Sequence, residues 1–100
     1  MSKTIFEKII SKEIPANIHH EDDDLIVIDD INPAAPVHLL IIPKKKIETL
    51  NDLTDEDINL VGKMFQTAKD MALKLGIDKS GYRTIFNCNE DGGQTVYHIH

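Results

Sequence analysis

The stretch Asp91-Gly92-Gly93-Gln94-Thr95-Val96-Tyr97-His98-Ile99-His100 holds the residues best suited to chemistry. Side chains alternate along a strand, so on a strand His98 and His100 point to one face. A Gly-Gly turn before them permits close backbone approach and unusual dihedrals. The N–H groups of Gln94, Thr95 and Val96 could there meet phosphate oxygens. An imidazole beside a bound phosphate can act as nucleophile, proton donor or charge stabiliser. His38 opens another apolar stretch and could join the same face. The His-x-His spacing also suits a zinc site, or no role at all. His19 and His20 are adjacent, face opposite sides, and read as structural or exposed. Cys88 reads as a small core residue rather than a nucleophile.

These residues need elements to hold them. Thr4-Ile5-Phe6-Glu7 has the form of a capping box and opens a short helix over about Ile5–Ser11. Ile14-Pro15 ends it, because the residue before proline disfavours helix. Asn17–Glu21 and Leu25–Asp30 read as strands around the turn Asp22-Asp23-Asp24, a charge run of the kind that is usually only solvated. Asn32–Pro36 is a stiff connector, and His38–Ile42 an apolar strand between two prolines. Lys44-Lys45-Lys46 reads as a solvated run. Thr54 is placed to cap a long helix reaching Leu75, with Gly76 as its stop. Its apolar stripe is Ile58, Val61, Phe65, Ala68, Ala72 and Leu75, widened by Leu60, Met64 and Met71. Tyr82–Asn87 and Thr95–His100 read as two final strands around the turn Asn89–Gly93. The order predicts an α+β fold with a mainly antiparallel sheet of about five strands, one short N-terminal helix and one long helix.

Composition narrows the class. The chain has 100 residues, 41% of them hydrophobic and 28% charged, which suits one globular domain spanning residues 1–100. Its net charge of −6 makes it a poor non-specific binder of nucleic acid or anionic membrane. One cysteine excludes an internal disulfide and a cysteine-rich metal site. No apolar run approaches the roughly 20 residues of a membrane span, and the start lacks the apolar run of a signal peptide. A cytoplasmic protein is expected.

The chain resembles the histidine-triad (HIT) family, in its Hint branch of purine nucleoside phosphoramidate hydrolases. The family signature is His-φ-His-φ-His-φ-φ, with φ apolar, and Gly93–His100 matches its first part. Ile5–Ile10 with Glu13-Ile14-Pro15-Ala16 resembles the Hint opening. Glu21-Asp22-Asp23, Asp30-Ile31-Asn32-Pro33 and Ala35–Lys44 follow in register, so the resemblance covers nearly the whole chain.

The resemblance implies a HIT-like fold and a role for each matching residue. His100 would be the nucleophile, forming a covalent nucleotidyl-histidine that water then cleaves. His98 would position it, and His38 would belong to the hydrogen-bonded cluster around the phosphate. Asn87 and Thr95 would contact the phosphate side, Thr95 also the leaving amine. Gly93 and Val96 would add backbone contacts beside Gln94. Asp30 would accept from the ribose hydroxyls, and Ile5, Phe6, Ile9, Ile31 and Leu40 would surround the base. No metal and no cofactor are implied. The partners expected are a purine nucleotide or nucleoside phosphoramidate and a second copy of the chain, joined through helix 54–75.

Three departures qualify this. Ile28 stands where relatives often carry an aromatic residue, and Lys46 where they carry a histidine. The chain also stops at His100, within the triad, as a truncated version of the pattern would. A terminal carboxylate on His100 would repel phosphate and favour a protonated imidazole. The alternatives are therefore a dinucleoside polyphosphate hydrolase of the same family, a non-catalytic nucleotide-binding or scaffold dimer, and a zinc-binding protein.

Overall fold

A computed structural model describes residues 2–100. The elements run α1 (Ile5–Ile10), β1 (Ile18–Glu21), β2 (Leu25–Asp29), β3 (Leu39–Pro43) and α2 (Ile58–Lys74), with 3₁₀ turns at Leu50–Asp52 and Asp55–Asp57. The strands form an antiparallel sheet in the order β1-β2-β3. The α+β class thus stands, with a smaller sheet than the five strands expected.

Strand β2 explains the layering. Leu25 and Val27 pack towards α2, in a cluster with Ile47, Met64, Met71 and Ile99. Ile26 and Ile28 pack towards α1, with Phe6, Ile9 and Ile42. Both faces are covered, which is why the strand reads as an unbroken apolar run rather than an alternation. Strand β3 repeats the division, with Leu39 and Ile41 on the α2 side and Leu40 and Ile42 on the α1 side.

Local signals set the helix ends. Thr4 caps α1 through its hydroxyl, and Glu7 returns to the Thr4 N–H at 3.0 Å. Gly76 leaves α2 at φ 73°, its N–H bonding Leu73 O while the Ile77 N–H bonds Ala72 O. That is the double bond pattern of a Schellman stop. The start of α2 differs from expectation. The Asp57 carboxylate reaches back to the Thr54 N–H at 3.0 Å and winds residues 55–57 into a 3₁₀ turn, so the α-helix begins at Ile58. The buried stripe is also rotated. Met64, Thr67, Met71 and Ala72 are buried, whereas Ile58 and Phe65 are exposed. The helix turns the residues expected to widen its stripe into the core face, because they are the ones that meet Leu25, Val27 and Ile99.

Two charge runs expected to be merely solvated tie elements together. Lys44 pairs with Glu21 of β1, Lys45 with Asp57 before α2, and Lys46 with Glu7 of α1. Lys63 of α2 pairs with both Asp22 and Asp24 of the β1–β2 turn. Burial opposes ionisation of Asp22, but bonds from His20, the Asp24 N–H and Lys63 outweigh it and hold the carboxyl well below the usual range. The pairs of Lys44, Lys46 and Lys63 are partly exposed and add little stability, so their main effect is on orientation, whereas Lys45 meets the buried carboxylate of Asp57.

Tyr82–Asn87 and Thr95–His100, expected as strands, carry no ladder. A strand exists only through its neighbour, and among the described residues the segment 95–100 has one backbone bond to an earlier segment, Ile99 N–H to Ile47 O at 2.8 Å, beyond the end of β3. Among the described residues no helix is long and apolar enough to cross a membrane.

Candidate active site

The sequence around His100 fixes one of its ring nitrogens. His100 Nδ1 lies 2.8 Å from the His98 carbonyl oxygen. A carbonyl can only accept, so Nδ1 carries a proton, and in the neutral ring Nε2 holds the lone pair. The ring lines a cavity of about 430 Å³ between β3, α2 and residues 82–87. Asp30, His38, Leu40, Asn87 and Thr95 share that wall with His100, so six of the residues singled out from sequence are brought together.

His38 and Asp30 are held by the Pro-rich connector. The Ala34 N–H donates to His38 Nδ1 at 2.9 Å, which puts the imidazole proton on Nε2. Nε2 faces Asp30 Oδ2 at 3.4 Å. Asp30 Oδ1 accepts the Asn32 N–H at 2.8 Å, and the Asp30 N–H bonds the His38 carbonyl at 3.0 Å. The loop between them is thereby closed at its base. The carboxylate keeps lone pairs for further donors, as vicinal hydroxyls would supply.

His98 sits elsewhere. It is wholly buried, and its Nε2 donates to the Pro43 carbonyl at 2.7 Å. Its Nδ1 has no hydrogen-bond partner among the described residues. Burial pushes the imidazole below the usual histidine range, against the Pro43 bond and the nearby Glu7 charge, which act the other way. The alternation expected for a strand survives locally: both imidazoles contact Phe6, while Ile99 between them joins the α2-side cluster.

The lowered His98 value has a consequence for stability. The unfolded chain takes up this proton near the ordinary histidine pKa of about 6.5, the folded chain only at lower pH. The stabilisation is complete above that value and is lost as pH falls through it. The urea midpoint is expected to drop between pH 7.5 and 5.5, and His98→Asn, which cannot titrate, should flatten that drop. An equal slope in both proteins would exclude His98 as its source.

Several expected contacts lie off the cavity wall. Gln94 is a buried clamp: its Nε2 donates to Glu48 O at 2.6 Å and Val96 O at 3.1 Å, and its Oε1 accepts the Asn89 N–H. The Gln94 N–H, expected to face phosphate, donates instead to Asn89 O at 3.0 Å. Gly93 lies in the turn at φ 81°, and Val96 packs against the α1-side cluster. Phe6 and Ile9 are core residues of that cluster; Ile5 is half-exposed, and Ile31 is 84% exposed. His19 pairs with Asp29 at 2.7 Å and His20 with Asp22 at 2.9 Å. The cavity wall also holds Arg83, which the sequence reading passed over although it is the chain's one arginine. Among the described residues no group of three or more His, Cys, Asp or Glu side chains converges on a metal-sized site.

Known proteins match this arrangement along the whole chain. The family model described as "Scavenger mRNA decapping enzyme C-term binding" matches residues 3–100. The purine nucleoside phosphoramidase of Escherichia coli K12 is 48% identical over 98 residues, covering 98% of this chain and 82% of its own length. The crystal structure of a HIT family hydrolase from Legionella pneumophila superposes with a TM-score of 0.96 at 48% identity, covering 98% of this chain and 88% of that one. A histidine triad protein from Clostridium difficile gives 0.94 at 39% identity, covering 100% and 89%. The chain belongs to the histidine-triad (HIT) family and groups with its hydrolases.

Proposed function

We propose that the protein hydrolyses purine nucleoside phosphoramidates by double displacement at His100. The observation that carries this is the Nδ1 bond to the His98 carbonyl, which in the neutral ring leaves the lone pair on Nε2, on a ring that lines the cavity. In the first step Nε2 bonds to phosphorus and the P–N bond breaks. The amine leaves as ammonia, taking a proton that solvent delivers through the Thr95 hydroxyl and that the attacking water of the second step returns to solvent. In the second step water displaces the imidazole, releasing a nucleoside monophosphate and restoring the neutral ring. One hard step becomes two easier ones. Asn87 holds the phosphate side, and Asp30, with His38 behind it, accepts from the ribose hydroxyls. Leu40 and the apolar wall meet the base. The E. coli relative, a purine nucleoside phosphoramidase, supports this substrate class. A cytoplasmic setting, where Cys88 stays reduced, fits the same reading.

Brief mixing with adenosine 5′-phosphoramidate followed by intact-protein mass measurement tests it. An adenylyl adduct mapped to His100, with AMP and ammonia released, is expected. Nucleotide binding with neither adduct nor AMP would overturn it. Faster turnover of a diadenosine polyphosphate would move the protein to that class of substrate.

We further infer a homodimer through α2. Ile58 (65% exposed), Phe65 (48%) and Leu73 (66%) recur along one side of the helix and suit a second copy. Light scattering is expected to give twice the 11.3 kDa chain mass. Leu73→Glu should give monomers with an unchanged far-UV spectrum; a wild-type monomer at micromolar concentration would sink the idea.

A further inference from the structure

Phe6 differs from the other apolar residues of α1 in what it touches. Its ring meets two imidazoles edge-on: His100 at 4.8 Å between centroids and 73° between planes, and His98 at 6.0 Å and 83°. Both fall within the geometry in which aromatic pairs attract beyond simple burial. Phe6 is 5% exposed and absent from the cavity wall, where Leu40 is present. A base in that cavity meets Leu40 before it meets Phe6.

The imidazoles need such a wall. Among the described residues each has one hydrogen bond, His98 through Nε2 to Pro43 and His100 through Nδ1 to the His98 carbonyl. One hydrogen bond by itself leaves the plane of a ring undetermined. A flat side chain packed against both rings removes that freedom. Helix α1 is itself anchored for the purpose. Its capping box fixes the first turn, and Glu7, next to Phe6, pairs with Lys46 at 3.2 Å. Lys46 lies three residues beyond Pro43, whose carbonyl takes the His98 proton. The N-terminal helix and the histidine support therefore share one frame.

We propose that Phe6 is a positioning residue for the His98–His100 pair: its ring sets the planes of both imidazoles and with them the aim of His100 Nε2. This gives Phe6 a function separate from contact with the base. The kinetic readout rests on the proposed hydrolysis at His100; the ring-nitrogen readout does not.

The test uses the full chain labelled with ¹⁵N in its histidine rings, without nucleotide. The wild type is expected to show His100 as the Nδ1–H tautomer and His98 as the Nε2–H tautomer. Phe6→Leu should mix the His100 tautomers and lower kcat about tenfold, with KM within about twofold. Phe6→Tyr, which keeps the flat ring, should restore both. Ile26→Val thins the same core cluster while keeping the Phe6 ring; it should lower the melting temperature and leave the ring nitrogens unchanged. If Phe6→Leu does not fold, Phe6→Met supplies similar volume without a flat face. Fixed tautomers in the non-aromatic variant, or a rise in KM alone, would overturn the proposal. If the wild type shows no hydrolysis, the function fails while the nitrogen spectra still decide the role of Phe6.

Discussion

Replacing His100 with glutamine is expected to lower turnover of adenosine 5′-phosphoramidate at least about 1,000-fold and to abolish the adenylyl adduct. The size of the effect follows from what the ring does. Its Nε2 is the atom that bonds to phosphorus, and an amide has no comparable nucleophilic lone pair. Direct attack by water must then carry the whole reaction in one step. The fold should survive, because His100 is only half-buried and, among the described residues, its side chain bonds only the His98 carbonyl two residues back. Asp30→Asn provides the contrast. It weakens one acceptor for the ribose and the contact with His38, so KM should rise about tenfold while kcat changes little. Steady-state kinetics on both variants separates the two roles. A His100→Gln protein that keeps about a tenth of the wild-type rate would mean that water attacks directly and His100 is no nucleophile.

Gly92→Ala should cost about 3 kcal/mol of stability, a large share of the 5–15 kcal/mol typical of a domain. A Cβ at this position would stand 2.4 Å from the Cys88 carbonyl oxygen and 2.9 Å from its nitrogen. Both are backbone atoms, so the turn must open rather than a side chain swing away. The same turn carries Asn87 on one side and Thr95 on the other, both on the cavity wall. Activity should therefore fall together with the melting temperature. Gly93→Ala is the control, since a Cβ there has only Asn87 Nδ2 at 3.9 Å nearby. Its cost comes from the left-handed φ of 81° alone, about 1–2 kcal/mol. Thermal unfolding of the two variants, each against wild type, checks the order. A Gly92→Ala protein melting at the wild-type temperature would show that the Cys88–Gly92 approach is not a tight one.

Much of the architecture is legible within a few residues of chain. Thr4 and Glu7 announce the start of α1, Gly76 announces the end of α2, and the branched run Leu25–Ile28 announces a strand, though only the structure shows it buried on both faces. The His-x-His spacing sets the two imidazoles on one side with Ile99 on the other, and the match to a known family names His38, Asp30, Asn87 and Thr95, which do meet His100 on one wall. The Gly92-Gly93 turn is visible too, but not that Gly92, rather than Gly93, is the glycine without room for a side chain.

The rest was settled by partners far away in the chain. His98 lies buried with its Nε2 turned inward, where Pro43, 55 residues earlier, offers a carbonyl. Gln94 is a clamp rather than a phosphate contact because Glu48, 46 residues earlier, takes its amide proton. Three consecutive lysines look like one solvated run, yet each reaches a different segment. The stripe of α2 that faces inward is chosen by the side chains of β2 that it meets, and a strand at Tyr82–Asn87 needs a neighbour no local pattern can supply. Capping, turns and periodicity act over three to five residues, so a sequence displays them directly. Burial, pairing and the tautomer of His98 depend on which distant atoms come into contact, and only the folded chain brings those atoms together.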